Sequence, residues 1–264
     1  MAHDYIIWNA DPRLISFAGI DIRWYGALFA IAYLLGYQLM HWIYQREGRD
    51  THSLERLSLY LVIGTIVGAR LGHCLLYDPA YYLAHPLKIV AIWEGGLASH
   101  GGGLGVMLAL YLYARQTSES YLWLLDRIAI PTALAGFFIR LGNMFNSEIY
   151  GVETTLPWGI VFERIDNLPR HPAQLYEAIA YATIFLLLLI LYLRNKQPPK
   201  PGRLFSIFLV TVFSARFMIE FVKEKQAAYS FDYWVNTGQL LSIPFILAGC
   251  ILLVLSLRTP KKPA

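Results

Sequence analysis

Charged side chains are scarce in this sequence. Asp, Glu, Lys and Arg make up 15% of its 264 residues, whereas about a quarter is usual in a soluble domain. Hydrophobic residues reach 56%, and the mean hydropathy is +0.44. This composition argues against a soluble enzyme or binding domain and is typical of a membrane protein.

Cysteine is almost absent, and several motifs are missing. Cys74 and Cys250 each lie in an apolar segment without metal-ligand spacing, which argues against a disulfide framework. The sequence has no P-loop, no Ser-His-Asp spacing and no basic run interleaved with aromatics. We therefore predict no metal, no other cofactor and no nucleic-acid partner.

Long apolar segments are what the sequence has in abundance. They predict an all-α membrane protein, a polytopic bundle of about seven transmembrane helices that forms a single integral membrane domain over residues 1–264. The stretch 86–93, before the third segment, is short enough to be an interfacial or re-entrant piece. The seven segments are 24–44, 58–77, 97–113, 122–145, 175–193, 204–222 and 240–257.

The basic residues indicate the orientation. An N-terminus outside and a cytoplasmic C-terminus place the shorter and more basic loops in the cytoplasm, as the positive-inside rule requires. The first residues, MAHDYIIWNADPR, lack the basic n-region and the cleavage site of a signal peptide. We therefore expect the first helix to remain in the membrane.

Arginines within apolar segments need an explanation, because an ionisable group there costs at least about 2.5 kcal/mol unless it faces protein or water. Arg127 lies near the start of its segment and is interpreted as an interfacial anchor. Arg70 shares a helix face with His73, which fits either a clamp between helices or the lining of a headgroup cavity. The four are Arg70, Arg127, Arg140 and Arg216.

The other two arginines lie in polar surroundings. Arg140 ends the fourth segment in FFIRLGNMFNSEIYG, where Gly142 and the Asn/Ser-rich continuation predict that the helix loosens. Irregular polar backbone at membrane depth is buried in protein or lines a cavity, so we predict a ligand cavity here. Arg216 precedes Glu220 by four residues; the pair neutralises itself or leaves a guanidinium edge for a phosphate.

Two further stretches carry polar groups at helix starts. WEGGLASHGGGLGVM contains His100, and its glycines fit either an anion site or close helix packing. RHPAQLYEAI spaces His171, Gln174 and Glu177 by three residues, which fits a capped, solvated helix entrance or a site. Together, these arginines, carboxylates and imidazoles suit an anionic phospholipid. They do not distinguish a lipid enzyme from a transporter, although the inverted repeats of many transporters are not found.

A signature of the bacterial prolipoprotein diacylglyceryl transferases, Gly-Arg-x-Gly-Asn-Phe-x-Asn-x-Glu-x-x-Gly, resembles residues 139–151, IRLGNMFNSEIYG. Other motifs of that family are similar to RWYG, GGLASHGGGLGV, RHPAQLYE and SARFMIEFVK, in the same order. The sequence departs from the family pattern at Ile139 and Met144, which we interpret as packing variants. It also departs at Val212 and Lys223, which stand where the family has Tyr and Arg.

This resemblance implies an enzyme of the bacterial plasma (inner) membrane that works as a monomer among membrane lipids, without a cofactor. Its substrates would be phosphatidylglycerol and a prolipoprotein signal peptide with a lipobox cysteine. Transfer of the diacylglyceryl group to the cysteine would form a thioether and release glycerol 1-phosphate, as the first step of lipoprotein maturation.

The resemblance also implies roles for individual residues. Arg140 and Arg216 would bind the phosphate and the leaving group, and Glu148 and Glu220 would aim them. His100 would act as the base or orient the thiol, unless a nearby cation alone favours the thiolate. The headgroup would contact Asn143 and Asn146, and the remaining substrate-binding residues would be Tyr25, Arg70, Asp126, Gly151 and His171.

Overall fold

The structure, a computed structural model, describes residues 5–17, 19–76, 78–96, 98–194, 200–224 and 236–258. Positions 77 and 97, which end one predicted segment and begin another, lie outside these ranges. The described residues fall into two compact units. One lies within Met1–Leu39 and Asp126–Ala264, and the other within Met40–Leu125.

Helices dominate the described ranges. Six of them are long and apolar enough to cross a membrane, and they coincide with six of the seven predicted segments. A helical, multi-spanning membrane protein is thereby confirmed. The α-helices are α1 (Trp24–Arg46), α2 (His52–Leu76), α3 (Pro79–Ala84), α4 (Ser99–Gln116), α5 (Tyr121–Phe145), α6 (Ala173–Arg194), α7 (Arg203–Ile219) and α8 (Thr237–Arg258).

The third predicted segment corresponds to α4, which is not among those six helices. Its glycines and polar ends lower its hydropathy. The glycines also let it pack closely on α2. A Cβ atom added to Gly68 would clash with the carbonyl of Gly101 and lie 2.7 Å from Cα of Gly105. A Cβ atom on Gly72 would lie 2.7 Å from Cα of Gly101. This contact favours helix packing as the reason for the glycine-rich sequence.

Short strands are the feature that the hydropathy pattern did not predict. β2 (Arg13–Phe17) and β3 (Ile20–Arg23) form an antiparallel hairpin directly before α1. β1 (Ile6–Trp8), β4 (Ile160–Phe162) and β5 (Pro169–Arg170) form a sheet in the order β1-β4-β5. β1 is parallel to β4, and β4 is antiparallel to β5. Strands of two to five residues are too short to give a clear alternating pattern.

The β1-β4-β5 sheet packs over the end of α5. Trp8 donates a 3.0 Å hydrogen bond from Nε1 to the carbonyl of Met144. Met144 itself is buried, which agrees with its interpretation as a packing variant. The sheet therefore fixes the segment that follows Arg140. The apolar cluster consists of Met144, Ile160 and Phe162, with Trp8, Tyr150 and Leu175 against it.

The start of α5 has a structural role. Asp126 is fully buried, and its carboxylate accepts 2.8 Å hydrogen bonds from the backbone N–H groups of Gly202 and Phe205. It thus caps α7, whose first N–H groups have no partner within the helix. Arg127 is also fully buried, with its guanidinium carbon 5.6 Å from the ring centroid of Tyr192. The interpretation of Arg127 as an interfacial anchor is wrong, because its side chain has no exposed surface.

Candidate active site

The turn after α5 has an unusual backbone. Ser147 and Ile149 have positive φ angles, 52° and 61°, which are rare for residues other than glycine, above all for a β-branched one. The turn brings the carboxylate of Glu148 back toward α5. Its Oε1 accepts hydrogen bonds from Nδ2 of Asn143 at 2.7 Å and of Asn146 at 3.2 Å. The expected loosening at Gly142 occurs only after Phe145, where the helix ends.

Arg140 is held at two of its three nitrogen atoms. Nε lies 2.8 Å from Oε2 of Glu177, a close ion pair without an aligned hydrogen bond. Nη1 donates a 3.0 Å hydrogen bond to Oδ1 of Asn143. Among the described residues, Nη2 has no hydrogen-bond partner, and the side chain keeps 12% of its surface exposed. The Nη edge of the guanidinium can therefore bind an anion.

Glu177 links Arg140 to a second cation. Glu177 is 1% exposed, and its Oε1 lies 3.4 Å from Nζ of Lys223. The same Nζ lies 3.5 Å from Oε2 of Glu220. Arg140, Glu177, Lys223 and Glu220 thus form a row of alternating charges that joins α5, α6 and the end of α7.

Arg216 lies on α7 in the same unit. It interacts electrostatically with Tyr181 and Glu177 from α6 and with Glu220 from its own chain segment. Glu220 makes its close ion contact with Lys223, so the self-neutralised Arg216–Glu220 pair is not the observed arrangement. Arg216, Tyr181 and Val212 line a crevice between α6 and α7 that has no room for a water molecule.

Gly151 is a point of close backbone approach. It pairs in a β-bridge with Lys223, and its N–H donates a 2.8 Å hydrogen bond to the carbonyl of His171. A Cβ atom here would clash with the carbonyl of Val222 and lie 2.5 Å from Cβ of His171. Only glycine allows this contact, which joins the turn after α5 to the residues just before α6 and to Lys223.

His171 belongs to a hydrogen-bonded chain on this segment. Its Nδ1 lies 3.1 Å from the hydroxyl of Tyr176, which accepts a 2.9 Å hydrogen bond from Nε1 of Trp158. Burial lowers the pKa of His171 below its usual value, because desolvation disfavours the charged imidazole. A neutral imidazole at this position can serve as a polar contact.

Tyr25 reaches the site from the start of α1. A Cβ atom added to Gly142 would lie 2.8 Å from Cδ2 of Tyr25, so the glycine leaves space for the ring. Tyr25 is close enough to Arg140 and Glu148 to interact with their charges. The neighbouring Trp24 stacks on Phe145 at 4.6 Å, which fixes the start of α1 against the end of α5.

Arg70, in the other unit, is a buried clamp. It is 3% exposed, and its guanidinium donates hydrogen bonds to four backbone carbonyl groups of the segment between α3 and α4. These bonds use four of its five N–H donors, which favours the clamp interpretation over direct phosphate binding. The carbonyl groups belong to Lys88, Ile89, Gly95 and Gly96.

His100 is the second residue of α4, and its side chain is exposed. The loop that Arg70 holds leads directly into this helix start, where the N–H of Ala98 donates a 2.9 Å hydrogen bond to the carbonyl of Ala69. Arg70 therefore fixes the backbone of the loop that precedes His100. This is an indirect role, which the sequence did not predict for Arg70.

Most of the predicted site residues come together around the end of α5. Arg70 and His100 lie in the other unit, and Asp126 lies in the same unit but at the far end of α5. Asp126 lies fourteen positions before Arg140 on α5, about 21 Å along the helix. Among the described residues, no group of three or more His, Cys, Asp or Glu side chains could hold a metal ion. The predicted residues joined by the contacts above are Tyr25, Arg140, Asn143, Asn146, Glu148, Gly151, His171, Arg216 and Glu220.

Three site neighbours were not predicted as site residues. Glu177 was visible only through its spacing of three from Gln174 in RHPAQLYE, a pattern that a solvated helix entrance explains equally well. Tyr181 lies one turn further along α6 and gave no signal of its own. Lys223 was noted as a departure, but its contact with Glu177 on another helix cannot be read from spacing.

Fold and site together define a polytopic helical membrane protein with a cluster of buried ionisable groups at the end of one helix. A family model described as prolipoprotein diacylglyceryl transferase matches residues 12–255. The chain belongs to this family, and the resemblance seen in the sequence is confirmed.

Curated relatives carry the name phosphatidylglycerol--prolipoprotein diacylglyceryl transferase. The chain is 59% identical to the one from Tolumonas auensis over 96% of its own length and 98% of the relative. It is 46% identical to the one from Chloroherpeton thalassium, with 96% and 95% covered. The one from Porphyromonas gingivalis is 44% identical, with 97% and 96% covered.

Proposed function

We propose that this protein transfers the diacylglyceryl group of phosphatidylglycerol to the lipobox cysteine of prolipoproteins, the first step of lipoprotein maturation. The names of relatives that are 44–59% identical over nearly the whole chain support this reaction. The observation that carries it structurally is Arg140, whose Nη edge remains available while Glu177 and Asn143 hold the rest of the guanidinium.

The chemistry explains why arginines are needed. The cysteine sulfur attacks the carbon of the diacylglyceryl group that bears the phosphate. A C–S bond forms at this carbon, and its C–O bond to the phosphate breaks. The thiol loses its proton, and the phosphodiester, with a charge of about −1, leaves as glycerol 1-phosphate with a charge approaching −2. Guanidinium groups at the phosphate therefore stabilise the transition state more than the bound lipid.

Each site residue has a role in this proposal. Arg140 and Arg216 bind the phosphate, and Asn143 and Asn146 contact the glycerol headgroup. Glu148 acts on Arg140 through Asn143 rather than directly. His100 accepts the thiol proton or orients the thiol. The residues that shape the site are Tyr25, Gly151, His171 and Glu220, with Arg70 and Asp126 acting through the backbone segments that they hold.

The membrane arrangement is also a proposal. We infer that α4 is the seventh transmembrane helix, because it packs glycine to glycine on the membrane-length helix α2. Seven spans allow an outside amino terminus with a cytoplasmic carboxyl terminus, which the distribution of basic residues favours. The protein then lies in the bacterial plasma membrane as one integral membrane domain and acts as a monomer.

Incubation of the purified protein with phosphatidylglycerol and a lipobox peptide tests the function. We expect the peptide mass to increase by one diacylglyceryl group, with release of one glycerol phosphate per peptide. A peptide in which the cysteine is replaced by serine is the control. If neither the mass increase nor the glycerol phosphate is detected, the proposed function is wrong.

A further inference from the structure

Glu177 is the most deeply buried carboxylate of the charged cluster. It is 1% exposed and faces three cations from other parts of the chain: Arg140 at 2.8 Å, Lys223 at 3.4 Å, and Arg216 through a longer-range interaction. A buried carboxylate is retained only when it is well paired, and here a single one serves several cations. This imbalance indicates that Glu177 organises the arginines rather than merely neutralising one of them.

The atom that Glu177 contacts on Arg140 is important. A guanidinium can meet a carboxylate through its Nε side or through its two Nη atoms. Glu177 takes the Nε side, and Asn143 takes one hydrogen of Nη1. The remaining donors are the other hydrogen of Nη1 and both hydrogens of Nη2. They lie at the Nη end of the guanidinium, away from the Nε atom that faces Glu177, and this end suits contact with a phosphate.

Glu177 also separates two positive charges. Among the described residues, it is the one carboxylate that makes close ion contacts with both Arg140 and Lys223, through different oxygen atoms. Without its charge, the two cations would face each other in a largely buried space, where repulsion is weakly screened. Arg140 would then move away from Lys223, and its Nη edge would lose its direction.

We propose that Glu177 is a positioning residue that fixes the direction of the Nη edge of Arg140 for phosphate binding in the transition state. The proposal rests on the proposed transferase function. Glu177 itself does not contact the lipid. Its charge lowers the net positive charge at the site, so its contribution is to orientation rather than to attraction of the anionic lipid.

The test compares Glu177→Gln and Glu177→Asp with the wild type at varied phosphatidylglycerol and saturating lipobox peptide. We expect Glu177→Gln to lower kcat by at least tenfold, while KM for phosphatidylglycerol stays within threefold or falls, because one negative charge is removed. Glu177→Asp keeps the charge and should recover part of kcat. Glu163→Gln, which removes an exposed carboxylate from the same unit, is the matched control.

A purely structural role would give a different result. In that case kcat would fall only as far as the folded fraction falls, as measured by size-exclusion profile and unfolding temperature, and Glu177→Asp would show no recovery. That result overturns the proposal. So does a kcat for Glu177→Gln within threefold of the wild type, or a higher KM at unchanged kcat.

Reactivity of Arg140 gives a readout that does not need turnover. Phenylglyoxal labelling followed by peptide mass analysis should show faster modification of Arg140 in Glu177→Gln than in the wild type or Glu163→Gln. Unchanged reactivity contradicts the positioning role. An inactive wild type would instead refute the transferase function, and the labelling result would still report whether Glu177 holds Arg140.

Discussion

Asn143 donates a 2.7 Å hydrogen bond from its side-chain amide to Oε1 of Glu148. The amide oxygen of the same residue accepts a 3.0 Å hydrogen bond from Arg140. The amide is thus bonded to both groups, so the position of the carboxylate fixes the orientation of the guanidinium. Glu148 and Arg140 themselves do not form an ion pair. Since Asn143 is 4% exposed, water competes little for these bonds.

This relay predicts that Asn143 and Glu148 act as a unit. Asn143→Ala and Glu148→Gln should each lower kcat, and the double variant should lose less than the sum of the two effects. We expect a coupling of about 0.5–3 kcal/mol, as for other residues in one hydrogen-bond network. Steady-state kinetics of the four proteins measure it, and additive losses would show that the two residues act independently.

Arg140→Lys tests whether the shape of the guanidinium is required. An ammonium keeps the charge but cannot contact Glu177, Asn143 and a phosphate from one planar group. We expect kcat/KM to fall roughly 100-fold or more, as for the loss of a transition-state donor. Arg13→Lys, at a side chain that is 54% exposed, is the control for the same exchange. Near-normal turnover of Arg140→Lys would refute bidentate binding.

His100→Gln addresses proton transfer. If His100 accepts the thiol proton, the variant should lose most of its rate at neutral pH and recover part of it as the pH rises toward the thiol pKa, near 8.5. The pH profile of kcat/KM with a fixed lipobox peptide measures this. A rate and pH profile equal to those of the wild type would mean that a cation near the thiol favours the thiolate instead.

Much of the fold could be predicted because membrane helices leave a strong signal. The predicted segment 122–145 and α5, Tyr121–Phe145, differ by one residue. The glycine-rich sequence around the start of α4 was ambiguous, because glycine serves an anion loop and a helix contact equally well. Only the clash of a Cβ atom on Gly68 with Gly101 distinguishes the two.

The site was predictable where residues lie on one helix face and not where helices meet. Arg140 and Asn143 share a face of α5, so their hydrogen bond follows from spacing. The contact of Arg140 with Glu177 crosses from α5 to α6, and no local pattern contains it. For Arg70, the sequence located a charge within a helix without showing that backbone carbonyl groups would bind it. For Arg127, it indicated an interfacial anchor and did not show the buried position beside Tyr192.

His171 predicts a pH dependence of stability. Burial lowers its pKa in the folded state below the ordinary value of 6.5, so the unfolded state binds the proton first as the pH falls. Stability is unaffected above that value and decreases as the pH drops below it. We expect the unfolding temperature to fall more for the wild type than for His171→Gln between about pH 7 and pH 5.

The control for this measurement is His52→Gln, at an exposed position at the start of α2. It should follow the wild type. If His171→Gln also follows the wild type over the whole range, proton binding at His171 does not contribute to the pH dependence of stability.

The backbone of Ile149 is strained, and replacing this residue tests what the strain does. A β-branched residue at a φ angle of 61° costs on the order of 1–3 kcal/mol, and such strain persists where the surroundings require it. Here the turn must bring Glu148 back to Asn143. Ile149→Gly removes the strain, although glycine adds about 0.5–1 kcal/mol of unfolded-state entropy. We therefore expect an equal or higher unfolding temperature together with a lower kcat, since the turn no longer enforces one position of Glu148.

Val152→Gly is the matched control, because Val152 follows in the same segment without a positive φ angle and should lose stability on this exchange. Unfolding temperatures and kcat of both variants in the same detergent distinguish the cases. A lower unfolding temperature for Ile149→Gly than for the wild type would mean that the side chain of Ile149 contributes more by packing than its backbone costs. Unchanged kcat would mean that the strained turn does not position Glu148.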